Sequence, residues 1–263
     1  MILAGETCAP WTHLTARGAL GSLDEADTRR IAGGTERLVD ALRSAIPDAK
    51  VITGATVTSV GIEDGLVSVS WHQGHQQYQA PFRAAILTVP DSRSLLRERG
   101  LRPEPKVHFH AYVSVLLEYS KRWWARSLRQ LRYGLYTDSA LNFIEEVPTR
   151  TRGRYVLRIL QPNAECWLRW SDRRIRSLCI RELRRLSKPG TFARAAKSPT
   201  FCSIKRWRQG LPCGSSGTLY HQVHRRIYLA GDRFAKWPSM DGALESGRAA
   251  ATELTRVLKP PRR

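Results

Sequence analysis

The sequence has no long apolar run, no CxxC pair and no GxGxxG turn, and each absence removes a class of protein. A membrane-spanning helix needs about 20 consecutive apolar residues, and nothing in the 263 residues approaches that length. The opening MILAGETCAPWTHL lacks a basic segment followed by an apolar core, so it does not read as a secretion signal. The five cysteines (Cys8, Cys166, Cys179, Cys202, Cys213) are odd in number and scattered, which argues for reduced thiols and against a disulfide framework or a zinc site. The expectation is a soluble, cytoplasmic chain without a metal. Negative charge is also scarce. Asp and Glu number 23 against 43 Lys and Arg, a formal net charge of +20.

What is present is a globular composition. Hydrophobic residues make up 42% of the chain and there are eight tryptophans, enough to build a large core and to exclude disorder. The positive excess is uneven: residues 121–208 hold 22 Lys and Arg against 6 Asp and Glu. Such a stretch can meet nucleic acid, anionic lipid or an acidic partner. Much of it falls at helical spacing, as in RRIRSLCIRELRRL, which a solvated helix face explains equally well. Three histidine pairs (His72/His75, His108/His110, His221/His224) lack a third ligand at suitable spacing. Ser215 and Ser216 sit in a glycine-rich loop with no paired base, which speaks against a hydrolase.

Periodicity divides the chain. A short helix is expected at LDEADTRRI with Ser22 as its cap. A second follows Gly33-Gly34, capped by Thr35, with Leu38, Val39, Leu42 and Ile46 at helical spacing. From Lys50 the period changes to two. Glu63-Asp64-Gly65 and Gln73-Gly74 are hairpin signals, so an antiparallel meander is expected, ending in a buried strand over Ala84–Val89. A short basic helix at DSRSLLRERG comes next. KVHFHAYVSVLLEY then reads as a long strand, with further strands near RYGLYTD, SALNFIEEV and GRYVLRIL. Ser171-Asp172 predicts a helix start running to Leu186, with Ile175, Leu178, Cys179, Leu183 and Leu186 inward. FCSIKRWRQGLPCGSSG is a strand entering a loop, and IYLAGDRFAKWPSMDGALESGRAAATEL is a strand, a Gly-Asp turn and a helix of small residues. The expected organisation is 1–28, 29–98, 99–205 and 206–263. The fold class is α/β (α+β): a partial dinucleotide-binding domain, made of the meander and the C-terminal strand-helix, with an antiparallel-sheet substrate-type domain. A parallel sheet is normally built from successive βαβ units, and the final strand-helix pair lacks the neighbours it should pack beside.

GGTERLVDAL, ATVTSV, AAILTVP, KRWRQGLPCGSSG and LAGDRFAKWPSMDGALESGRAAA, in that order, resemble the flavin-containing amine oxidase superfamily, which includes amine oxidases, protoporphyrinogen oxidase and phytoene desaturase-like enzymes. The resemblance runs from about Arg30 to Leu258, and its terminal motif is the most specific part. It implies FAD as cofactor, held against Gly33, Gly34, Val57, Trp207, Gly231, Asp232, Met240, Gly242 and Ala243. In the family Gly231 and Asp232 would face pyrophosphate and ribityl hydroxyls, and the helix start from Met240 to Ala243 the flavin ring. Val57 would lie by the adenine and Trp207 beside the substrate cavity. The implied chemistry is hydride transfer from a small amine or a lipophilic substrate to the flavin, with no acid or base named in this chain.

The sequence departs from the family in three places. No GxGxxG turn with a following ribose-binding acid is present; Gly18 and Gly21 do not fit its spacing. The expectation is therefore of a C-terminal part that needs an N-terminal FAD-binding partner chain. Ser114 stands where amine oxidases carry a lysine on the long strand. KWPSMDGA is one residue shorter than the amine oxidase form, lacks its aromatic residue and is closer to the desaturase-like branch, so amine specificity stays open. Three readings follow: one subunit of a split oxidase, an inactive truncated homologue, or a basic scaffold that binds an acidic partner or, though this is not favoured, nucleic acid.

Overall fold

A computed structural model describes residues 31, 33–90, 92–96, 101–102, 107–125, 128, 131, 134–137, 139–149, 151–187, 199–213, 218–235 and 238–259. The helix expected at LDEADTRRI lies outside these residues. The chain forms two compact units. The first takes in 105–219 and 231–246; the second takes in 23–104, 220–230 and 247–263. The segment 206–263 is thus distributed over both.

The first unit is an antiparallel sheet in the order β6-β7-β8-β5-β9, backed by one helix. Its strands are β5 (His108–Tyr119), β6 (Leu135–Tyr136), β7 (Phe143–Val147), β8 (Tyr155–Pro162) and β9 (Phe201–Cys213). Alternation in β5 works as the pleat requires: Val113, Val115, Leu117 and Tyr119 are buried, and the residues between them are half-buried on the other face. Helix α2 (Asp172–Leu186) covers the buried face with Ile175, Leu178, Cys179 and Leu183. Its start is set as the sequence predicts, the Arg174 N–H donating to Ser171 Oγ at 3.3 Å. Trp123 and Trp124 meet edge to face at 5.4 Å, and each packs on Tyr119.

The second unit holds the meander β1 (Ala55–Glu63), β2 (Leu66–Gln73) and β3 (Gln76–Phe82). Asp64 and Gly65 both have positive φ, 50° and 75°, as a two-residue hairpin turn demands. β4 (Ala85–Leu87) does not end the meander. It pairs in parallel with β11 (Ile227–Leu229), which pairs antiparallel with β10 (His221–His224). A three-residue strand cannot show its partner by periodicity, and this one is joined across about 140 residues of chain, so the sequence reading placed it wrongly. Helix α3 (Met240–Leu258) contributes Ala250 and Leu254 to a small cluster with Tyr228 and Ala230.

Two further expectations are corrected. Thr35 precedes α1 (Glu36–Ser44) but sits in helical backbone with no side-chain cap bond, because a capping side chain needs extended geometry to reach forward. The described part of DSRSLLRERG is a turn in which Val60 bridges Leu96, rather than a helix.

Candidate flavin site

The Gly231-Asp232 turn follows β11. Gly231 has φ of 135°, a value L side chains rarely adopt, so the chain can leave the strand here only with glycine. Its N–H donates to Ser246 Oγ at 2.8 Å, and the Ser246 hydroxyl donates to the Leu219 carbonyl. Ser246 is fully buried, so this serine fastens the turn to α3. Because that amide is engaged, the group the turn leaves for a ligand is the Asp232 carboxylate. Burial pushes its pKa above the ordinary carboxylate value, against the pull of the Arg233 backbone N–H and guanidinium.

The start of α3 shows the same division between engaged and free groups. Ser239 acts as its cap: Gly242 N–H donates to Ser239 Oγ at 3.0 Å, and Ala243 N–H donates to the Ser239 carbonyl at 2.9 Å. Gly242 and Ala243 therefore shape the helix end. Among the described residues the N–H groups of Met240 and Asp241 have no acceptor, and they carry the positive end of the helix dipole. Met240 is half-exposed beside them. A half-buried carboxylate and two free amides suit ribityl hydroxyls and an electron-rich ring edge, so these residues fit a flavin.

Trp207 lies on β9 opposite Tyr112 of β5, with ring centroids 5.8 Å apart. The pair sits at a bulge where Arg208, Gln209 and Gly210 stand against Ala111 alone. Gly210 is required there because a Cβ would collide with the Cβ of Tyr112. Two residues along, on the same face, Ser114 stands opposite Lys205. The sheet face away from α2 thus carries Tyr112, Trp207, Ser114 and Lys205. Sequence reasoning missed Lys205, Tyr112 and Ser246. The strand period could have placed Tyr112 with Ser114, but only register joins Lys205 to them.

The remaining expected contacts lie in the second unit. Gly33 and Gly34 have φ of 92° and 89° and are exposed, and a Cβ at Gly34 would meet nothing within 4 Å. Val57 is 38% exposed on β1, opposite Trp71, at a bulge in the meander. Of the four apolar residues at helical spacing here, Leu38 is half-buried, while Val39 is 63% exposed, Leu42 45% and Ile46 53%, and none of the residues of α1 is buried. Among the described residues no three His, Cys, Asp or Glu gather as a metal site, and no helix is long and apolar enough to cross a membrane.

Residues 9–255 match the profile of the family described as flavin containing amine oxidoreductase. The chain belongs to that family. Solved structures share its fold. Cyclohexylamine oxidase from Brevibacterium oxydans IH-35A aligns with a TM-score of 0.65 at 14% identity, over 86% of this chain and 53% of its own. Putrescine oxidase, wild type bound to putrescine, aligns with a TM-score of 0.62 at 17% identity, over 86% and 54%. This family member therefore spans about half the length of those oxidases. No curated protein matches its sequence.

Proposed function

We propose that this chain supplies the ring-and-ribityl side of the flavin site in an FAD-dependent oxidoreductase, completed by a segment bearing the GxGxxG turn that these 263 residues do not contain. The observation that carries the reading is the pairing of a glycine-only turn with a capped helix start. Gly231 is tied to α3 through Ser246, Asp232 is left half-buried, and among the described residues the Met240 and Asp241 amides have no acceptor. FAD, when bound, accepts hydride from a substrate C–H bond. The chain's own residues then position and polarise. With FAD bound, Asp232 would accept a hydrogen bond from a ribityl hydroxyl, the Met240 and Asp241 amides would favour negative charge on the ring, and Tyr112 and Trp207 would give an aromatic wall. Lys205 places an ammonium on the same sheet face as that wall, one strand from Ser114.

Support for a completing segment comes from the second unit. Val39, Leu42, Ile46, Val51 and Ile52 are all more than two-fifths exposed, and β4 lies at the edge of its sheet among the described residues. Apolar side chains left in water on this scale mark a surface that another segment covers. The substrate class is a small amine or a lipophilic molecule; the two oxidases named above support the amine. The test is the visible flavin spectrum of the purified chain, alone and co-expressed with a GxGxxG-bearing segment of a family member. Flavin retained in the second case and not the first is expected. No flavin in either case favours the inactive homologue.

A further inference from the structure

Helix α2 carries six exposed arginines, and they divide into two groups. Arg174 lies over the Trp170 ring at 4.2 Å. Arg181 and Arg185 pair with Glu182, which is buried to 3%, at 3.3 and 3.2 Å. These three are held within the unit. Arg173, Arg176 and Arg184 fall on another row of the helix with Ile180, since residues three, four and seven apart share a face. Among the described residues none of the three makes an ion pair. Like charges on one exposed row repel one another and attract an anionic partner.

That row borders a groove. A cavity of about 510 Å³ runs between α2 and β9, lined by Arg173, Arg176 and Ile180 from the helix and by Cys202 and Ile204 from the strand. One end is closed by Asp172, whose carboxylate accepts from Arg206 at 2.5 Å, so that acid is neutralised. The strand side of the groove offers Cys202 and Ile204, and the helix side Arg173 and Arg176 with Ser177 and Ile180. β9 is also the last strand of its sheet, and among the described residues no strand pairs with its outer edge. Such an edge has a row of backbone donors and acceptors ready for another strand.

We infer that the groove between α2 and β9 docks an extended acidic peptide of a partner protein, which adds to the outer edge of β9 and sets its carboxylates against Arg173 and Arg176. Main-chain hydrogen bonds to an edge strand give affinity, and alternate side chains give selectivity. Side chains of an added strand repeat about every 7 Å on one face. Arg173 and Arg176 stand about 4.5 Å apart along the helix axis and Ile180 about 6 Å further. In an occupant alternating acidic and aliphatic residues all the acids fall on one face of the added strand, which can turn toward the arginine row while the aliphatic side chains continue the opposite face of the sheet. Nucleic acid is a poorer fit, because the groove borders a sheet edge and has no aromatic stacking surface among its lining residues. The inference does not depend on flavin being bound.

The probe is a fluorescein-labelled octapeptide of alternating Glu and Val, followed by anisotropy with the purified chain and by amide hydrogen exchange. Binding is expected, with new protection over residues 201–206. The double variant Arg173→Glu/Arg176→Glu should weaken it about tenfold or more, as loss and reversal of two exposed charge contacts implies. Arg248→Glu, an exposed charge on α3, should leave it unchanged. Both variants change only exposed side chains, so their thermal unfolding should match the parent. The inference is overturned if the peptide does not bind, if the double variant binds as well as the parent, or if an N-methylated peptide that cannot pair as a strand binds equally. Equal binding of a single-stranded oligonucleotide of the same charge would also overturn it.

Discussion

The two units differ in how far they satisfy themselves. In the first, a cluster from Ala111 to Leu183 includes Val113, Val115, Leu117, Leu131, Leu141, Ile144, Leu157, Ile159 and Ile175, all at 0% exposure. In the second, Val60, Val67, Val223, Ile227, Tyr228 and Leu229 are buried, while Val39, Leu42 and Ile46 of α1 and its end, with Val51 and Ile52 before β1, stand in water. A fully buried aliphatic side chain contributes roughly 1.5–3 kcal/mol relative to an exposed one. The first unit therefore buries its helix stripe against its own sheet, whereas the second, beside its buried strands, leaves an apolar stripe exposed on α1. The same amphipathic pattern means different things in the two places. In α2 the apolar stripe is spent on the sheet; in α1 it is available.

The largest expected effect breaks this contrast at its core. Leu117→Ala, deep in β5, should cost about 3–4 kcal/mol in urea denaturation. Leu42→Ser on α1 should change the isolated chain by no more than about 0.5 kcal/mol, as exposed substitutions do, and should weaken association with a completing segment. A large loss from Leu42→Ser in the chain alone would show that α1 already has its partner. Next is Ser246→Ala, which leaves the Gly231 amide and the Leu219 carbonyl without their shared partner. It should cost on the order of 1–3 kcal/mol in thermal or urea unfolding.

Asp232→Asn should act in the opposite direction. Burial raises the folded pKa of Asp232 above its unfolded value, so between those values the folded state binds more protons than the unfolded one. Stability contributed by this group falls as pH rises through that window. The neutral Asn should stabilise the flavin-free chain at pH 7 by about 1 kcal/mol or less and remove that slope. It should also weaken flavin retention in the completed protein, read by the visible spectrum. The smallest effect on stability is expected for Lys205→Met, within about 0.5 kcal/mol. If its ammonium serves oxidation, flavin reduction by substrate in the completed protein should slow at least tenfold; an unchanged rate would remove Lys205 from the reaction.

The sequence yielded elements wherever period and punctuation agreed. β5 alternates over twelve residues, α2 opens on Ser171-Asp172, and the β1-β2 turn is announced by Asp64-Gly65. It misplaced β4, whose three residues pair with a strand near the other end of the chain. It also credited Thr35 with a cap it does not make. Of the candidate site, Gly231, Asp232 and the α3 start were legible as a motif. The engagement of the Gly231 amide by Ser246 was not, since a serine on an alanine-rich helix carries no sign of what it accepts.

By itself the sequence determined the family, the order of its elements and the identity of the positions where backbone must turn without a side chain. Local rules suffice for these, because turn chemistry, helix starts and strand period act over a few residues. Only the tertiary structure decided which face of each element is covered and which groups remain free. Lys205 faces Ser114 through strand register, Arg173, Arg176 and Arg184 fall on a different row of α2 from the arginines that pair with Glu182, and α1 keeps Val39 and Leu42 in water. Those outcomes depend on pairings across long stretches of chain, where residues without a shared local pattern compete for the same surface.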